Sequence, residues 1–489
     1  MSTPPNIVLV VMDTARAREV AMLESLASGS TTIGELSEGG STYTNAYSAA
    51  PWTLPSHGSL FTGTYPSKHG AHAGHKRLEG NLDTIAETFR ANDYETVAVS
   101  NNTWISEEFG FGRGFDEFHK TWQYVQTDTD LGEVARKNDG FGMVRELAKK
   151  LVDGNPVVNA ANAIYGQFFR KREDDGASRT NKWIEQWLSA RDGDPFFLFV
   201  NYLEPHLDYH PPQSIAEEFL PENISFEAAM EIPQNAWEFI AGELELTETE
   251  LETLHALYVA EIAYLDRQLE TLINQLKVTG KWDNTIFVLT SDHGENIGEH
   301  GMMDHQYCLY DTLLHVPLII TGGAFDDGGE HEKLVQTTDI APTLLDAAGI
   351  ESAPITSQFQ GHSFHPTTSD SPREYVVAEY MAAQPSMNAL ERQLDDVPPF
   401  MHTYDRSLRA IRTADQKLIR GSDGSTEYYD LTEDPNEQSP IADERTDEIS
   451  ALKAQLDDWL QSFEPASHEE SIGMSDQAKS RLEELGYIQ

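Results

Sequence analysis

Four side chains of this 489-residue sequence have the types and settings for ester chemistry at a metal ion: Asp13, Thr53, Asp292 and His293. Asp13 ends an apolar run in NIVLVVMDTAR (6–16). In open α/β sheets the carboxyl edge of the strands is where sites form, so Asp13 is either a ligand or a cap for the next helix. Thr53 lies in APWTLPSHGSLFTG (50–63), where Leu54-Pro55 reads as a helix start. Backbone N–H groups at such a start face an incoming anion. A hydroxyl there can attack a phosphoryl or sulfuryl centre once its pKa is lowered; its plainer role is an N-cap. Asp292 and His293 follow an apolar run directly in TIFVLTSDHGENIGEHG (285–301). A carboxylate and an imidazole at one strand end are a ligand pair for a divalent ion, or else a turn with an N-cap aspartate. Brought together, the four residues would put a nucleophile and a Lewis acid in one site.

That meeting requires a sheet. Runs at 7–12, 96–99, 196–203, 285–290 and 316–320 are apolar on both faces and rich in β-branched and aromatic residues, which is the pattern of buried parallel strands. Between them, Leu254, Tyr258, Ile262, Leu265, Leu269, Leu272 and Leu276 keep the spacing of one helix face, and Gly280 ends that helix. Strands alternating with helices predict a doubly wound α/β sheet. Residues 123–178 are polar and helix-permissive and read as an insertion. Beyond a composition shift near Pro366–Pro372, strand-like runs at 375–379, 408–413, 417–419 and 427–430 precede helix-like stretches at 448–463 and 476–485. We therefore expect a catalytic α/β domain over 1–365 and a smaller antiparallel α+β subdomain over 366–489.

Hydrophobic residues make up 39% of the chain, enough for a packed core rather than a disordered polymer. Acidic residues number 81 against 34 basic ones, a formal net charge of -47. Such a surface repels nucleic acid and anionic membranes, so neither is expected as a partner. The acids are spread along the chain, which fits either an acidic protein of ordinary kind or, the favoured reading, a halophilic one in salt that screens the repulsion. The single Cys308 allows no internal disulfide and no thiolate metal cluster. No run approaches the length of a membrane span, and the start of the chain shows no ordinary signal peptide, so a cytoplasmic location is the expectation.

Several ordered segments make the chain resemble the sulfatase family of the alkaline phosphatase superfamily. They are NIVLVVMDTAR, SLFTGTYPSKHG (59–70), FFLFVNYLEPHLDYHPP (196–212), DNTIFVLTSDHGE (283–295), HVPLIITGG (315–323) and TTDIAPTLLDAAGI (337–350). RAIRTADQKLI (409–419) and YYDLTEDPNEQ (428–438) extend the likeness into the tail. The resemblance implies an alkaline phosphatase-like, mostly parallel sheet flanked by helices. It also implies one divalent ion, calcium, manganese, magnesium or zinc, bound by Asp13, Thr53, Asp292 and His293, and a small-molecule sulfate or phosphate ester as substrate.

The site positions carry over unevenly. Thr53 stands where sulfatases have the residue converted to formylglycine, His57 where they have an arginine, and Thr14 where they have a second aspartate. Asn101 and Asn102 replace a lysine and a histidine; with His57 they are the expected substrate contacts. His206 resembles a substrate-contacting histidine, and His305 lies near the place of a substrate-binding lysine. Either would protonate the leaving group or hold the non-bridging oxygens. His210, His300 and His315 are further candidates for a second metal. Threonine is no formylglycine precursor, so the resemblance implies direct attack by Thr53. Phosphodiesterases, phosphonate monoester hydrolases and phospho-group transferases of the superfamily are alternatives, as is a non-catalytic binding protein on the same fold.

Overall fold

The computed structural model describes residues 3–26, 30–121, 174–191, 193, 195–368, 372–394, 397–441 and 445–466. Nearly all of the expected insertion at 123–178, and the helix-like stretch at 476–485, lie outside them.

The strand Asn6–Met12 is buried at every position. Its side chains alternate between two cores: Ile7, Leu9 and Val11 enter one, while Val8, Val10 and Met12 enter the other. Both faces are covered by helices, which is why the run is apolar without a polar phase. The strand sits inside an eight-stranded sheet. In spatial order this runs Gly329–His331, Ser41–Tyr43, Leu318–Thr321, Thr285–Ser291, Asn6–Met12, Phe196–Tyr202, Glu95–Ser100 and Glu117–Lys120. The chain is thus α/β, with a mixed but mostly parallel sheet.

One strand departs from expectation. The run read at 316–320 as a parallel strand is Leu318–Thr321, and it lies antiparallel to Thr285–Ser291, with Ile319 opposite Leu289. It is also antiparallel to Ser41–Tyr43. Burial on both faces gives the same apolar run in either direction, so composition cannot report strand polarity.

The helix Glu248–Val278 spans 31 residues on one face. Thr247 and Glu250 close a capping box at its start, satisfying two backbone donors that have no helical partner. Gly280, at φ +67°, lies two residues past the end. On the other face, all ten residues of the helix Thr53–Thr62 are buried. Gly63 ends it at φ +64°, and a Cβ there would meet the ring of Phe359.

A separate four-stranded antiparallel sheet follows: Val376–Tyr380, Leu408–Arg412, Gln416–Gly421 and Thr426–Asp430. With the helix Thr446–Gln461 it encloses its own small core, which also takes in Ala49 and Tyr65. Lys417 ties it to the helix Asp311–Leu314 of the main body. Its buried ammonium lies 2.7 Å from Asp311 and 2.6 Å from Glu437, and Arg412 adds a contact to Asp311 at 3.1 Å. Removing one partner of a buried ion cluster strands the other charges. Lys417→Met is therefore expected to destabilise the fold by about 3–5 kcal/mol, measured by urea unfolding. A loss under about 1 kcal/mol would mean that the carboxylates find other partners or protonate at little cost.

Candidate active site

Strand register builds the site. Met12 is opposite Ser291 across a parallel pair, so the next residues, Asp13 and Asp292, leave neighbouring strands at one level. Adjacent strands are about 4.8 Å apart, a spacing that lets two carboxylates share one cation. His293 follows at once. On the other flank Ser100 is opposite Asn201, which brings Asn101 and Asn102 to the same edge. The helix Thr53–Thr62 starts beneath this edge, with Thr53 as its first residue and Trp52 at the cap position. Thr53 is therefore not the N-cap.

The four residues meet. Thr53 Oγ1 is 3.3 Å from His293 Nε2. His293 Nε2 is 3.3 Å from Asp292 Oδ2 and 3.7 Å from Asp13 Oδ1. Ligand atoms of Asp13, Asp292 and His293 all lie within 4.8 Å of one another, and all three residues are buried. His293 Nδ1 donates to the Gly294 carbonyl at 2.9 Å, which leaves the Nε2 lone pair facing the carboxylates. Gly294 is required here because a Cβ would lie 2.0 Å from the Thr312 carbonyl oxygen. Asn102 Nδ2 donates to Asp13 Oδ2 at 2.6 Å and reaches Thr53 Oγ1 at 3.5 Å, tying ligand to hydroxyl.

Charge explains what the cluster lacks. Asp13 Oδ1 and Asp292 Oδ2 are buried without a hydrogen-bond partner, and among the described residues neither carboxylate meets a lysine or arginine. Burial pushes Asp292 up to about 7. Burial and the neighbouring Asp292 raise Asp13 well above the usual carboxylate range. Burial also drives His293 well below its ordinary value, which keeps the imidazole neutral. Two crowded carboxylates and a neutral imidazole fit a divalent cation, whose charge would remove the penalty on both acids.

The loop after Asp13 is held firmly. Thr14 takes φ +62°, an uncommon backbone for a β-branched residue. This turns its amide toward Asp292 Oδ1 at 3.4 Å. Tyr258 clamps the loop, donating to the Thr14 carbonyl and accepting from the Arg16 amide, each at 2.8 Å. Arg16 is bound in turn by Glu299 at 2.7 Å.

The remaining candidates divide. His57 Nδ1 donates to the Thr53 carbonyl at 2.9 Å and lies 3.4 Å from Asp292 Oδ2. Its ring is edged by Phe111 and Phe199. Burial pushes it down to about 4, so it is neutral and supports Asp292 from behind. Asn101 turns away from Thr53: its side-chain oxygen accepts from Thr121 and Thr180, each at 2.8 Å. His206 and His305 come together with ring centroids 5.2 Å apart, and His305 lies 4.6 Å from the His293 ring. Burial works against a proton on His305, but Asp304 and Glu295 override it and push the group up to about 10. The three further histidines do not join. His210 is exposed and binds the Asp208 carbonyl, His300 stacks on Tyr310, and His315 binds the Thr44 carbonyl.

Two acids escaped the sequence reading as site residues, although one lies two positions from His293 and the other next to His305. Glu295, buried and pushed up to about 7, ends the DHGE motif. Asp304 precedes His305 and contacts it directly. Neither fits a strand-end pattern, and only the folded loop reveals them.

Among the described residues no helix is long and apolar enough to cross a membrane. The sequence profile named Sulfatase matches residues 5–350. Arylsulfatase K of Bos taurus is 25% identical over 485 residues, covering 92% of this chain and 81% of its own. A sulfatase named YidJ from Escherichia coli strain K12 is 24% identical over 464 residues, covering 90% and 83%. The crystal structure of a phosphonate monoester hydrolase of Agrobacterium radiobacter shares the fold, with a TM-score of 0.67 at 20% identity over 94% of this chain and 95% of that one. With the profile match running through every segment that builds the site, the chain belongs to the sulfatase family.

Proposed function

We propose that this chain is a metal-dependent hydrolase of sulfate or phosphate esters that uses Thr53 as its nucleophile. The observation that carries the reading is the position of Thr53 Oγ1, 3.3 Å from His293 Nε2 at the focus of the Asp13–Asp292–His293 cluster. A divalent ion bound by these three residues and Thr53 would favour the alkoxide and polarise the ester oxygen. His293 lies against the hydroxyl, and Asn102 keeps Thr53 and Asp13 in fixed relation. Thr53 Oγ1 attacks sulfur or phosphorus, the bond to the alcohol oxygen breaks, and the alcohol departs with the proton that Thr53 gave up. Water then attacks the same centre, releasing sulfate or phosphate and restoring Thr53. His206 and His305 would hold the leaving and non-bridging oxygens, which fall on their side of the cluster.

The test is a parallel assay of aryl sulfate, aryl phosphate monoester, aryl phosphate diester and aryl phosphonate monoester. Protein stripped by chelator would be reloaded with calcium, magnesium, manganese or zinc. Turnover of at least one ester should vanish on chelation and return with one of the metals. A chain that turned over none of them and bound no metal would be a binding protein on this fold.

The net charge of -47 is read as an adaptation to high salt. Thermal unfolding followed from low to molar potassium chloride should then show a rising Tm as the repulsion is screened. A Tm highest at low salt would contradict a halophilic surface.

A further inference from the structure

We propose that His206, Asp304 and His305, with Glu295 beside them, form a second divalent-cation site next to the first. Ligand atoms of His206, Asp304 and His305 lie within 4.8 Å of one another, and all three residues are buried. Glu295 Oε1, also buried, has no hydrogen-bond partner and lies 3.7 Å from His305 Nδ1. Its other oxygen accepts from the Leu207 amide at 3.2 Å, which fixes the carboxylate beside His206. His206 Nδ1 donates to the Leu207 carbonyl, the kind of outer contact that orients a ligating imidazole. Two imidazoles with carboxylate oxygens are the donor set of zinc or manganese.

Charge balance points the same way. Asp13, Asp292, Glu295 and Asp304 are four buried carboxylates close enough to repel one another. Among the described residues no lysine or arginine pairs with any of them. One divalent ion would offset two of these charges, and a second, in place of the charge on His305 beside Asp304 and Glu295, would offset the other two. The backbone adds a further sign: His300, Asp304 and Tyr307 all take positive φ, at 56°, 70° and 65°. Such non-glycine strain in one short loop is characteristic of ligand-holding segments. The loop is closed by short pairing of Asn296–Ile297 with Met303–Asp304, which holds Asp304 at a fixed distance from the first centre.

The catalytic meaning of this site, a cation opposite Thr53 for the leaving oxygen, rests on the hydrolase reading above; the ion count does not. Chelator-stripped protein would be dialysed against zinc or manganese and its metal counted by mass spectrometry. A cobalt(II) titration would follow the visible absorption. The unaltered chain should take up about two ions. Asp304→Ala/His305→Ala should take up one, and Asp13→Ala/Asp292→Ala should also take up one. Should either double variant misfold by circular dichroism, Asp304→Asn or Asp292→Asn replaces it. One ion in the unaltered chain, kept by the Asp304 variant and lost in the Asp13 variant, would overturn the second site and leave the hydrolase reading standing. One ion lost in both variants would show that the clusters are a single site, which also overturns the proposal. No ion in the unaltered chain would remove both centres.

Discussion

Thr53→Ala is expected to lower kcat/KM by about 10^4–10^6-fold, the range seen when a nucleophile is removed from a working site, while Thr53→Ser keeps a measurable fraction. The hydroxyl of Thr53 reaches the cluster: Oγ1 meets His293 Nε2 at 3.3 Å, and the Asn102 amide approaches it at 3.5 Å. Serine retains that oxygen but loses the β-branch that restricts rotation about χ1, so it samples unproductive rotamers and slows. The neighbouring hydroxyl, Ser56, is already committed. It donates to the Asp292 carbonyl at 2.6 Å and lies 3.0 Å from Ser48 Oγ. Ser56→Ala should therefore perturb the Asp292 backbone and weaken activity without abolishing it. Mass spectrometry of enzyme quenched during turnover should place a sulfo or phospho adduct on Thr53. An adduct on Ser56, or near-normal turnover by Thr53→Ala, would reverse the assignment.

The second large effect is at the ligands. Asp292→Ala and His293→Ala should each lose tight metal binding and lower activity by at least about 10^3-fold, because on the proposed function the ion would supply both the activated hydroxyl and the polarised ester. Circular dichroism should remain native, since both residues sit past the end of the strand Thr285–Ser291 and not within its pairing. Full metal occupancy in both variants would take these residues out of the site.

The pH dependence has a definite sign. Burial pushes Asp292 up to about 7 in the ion-free fold, above its ordinary value of 3.8. Between these values the folded state holds a proton that the unfolded state has released, so ion-free stability falls as pH rises through that window. Bound metal removes the penalty. The gap in Tm between loaded and stripped protein should widen from pH 4 to pH 7, and Asp292→Asn should flatten the stripped curve. A gap that narrowed over that range would contradict the crowded-carboxylate account.

Much of this site was legible because it is built at strand ends. An apolar run followed by Asp, or by Asp-His-Gly, is a local pattern, and parallel pairing converts it into a meeting of residues far apart in sequence. Thr53 was legible for a similar reason, as the first residue of a helix announced by Leu54-Pro55. Asn101 and Asn102 show the limit. Both follow the strand Glu95–Ser100, but adjacent side chains point opposite ways: Asn102 reaches Asp13, and Asn101 is held by Thr121 and Thr180. One residue of register separates a site contact from a structural one.

What the sequence by itself determined was the class of the molecule: a doubly covered sheet, the long helix from Glu248, a small C-terminal sheet, and an edge where two carboxylates and an imidazole gather with a hydroxyl beside them. These follow from periodicity and from residues that end elements, which act over a few positions. Tertiary structure alone decided the rest. Strand Leu318–Thr321 runs antiparallel because direction leaves no mark on a run buried on both faces. Glu295 and Asp304 join His206 and His305 because a loop with left-handed residues folds back over the sheet edge. His57 turned out to back Asp292 because helix geometry sends its ring to the Thr53 carbonyl one turn earlier. In each case the deciding interaction links positions whose separation is set by packing and not by sequence spacing, so no local pattern could carry it.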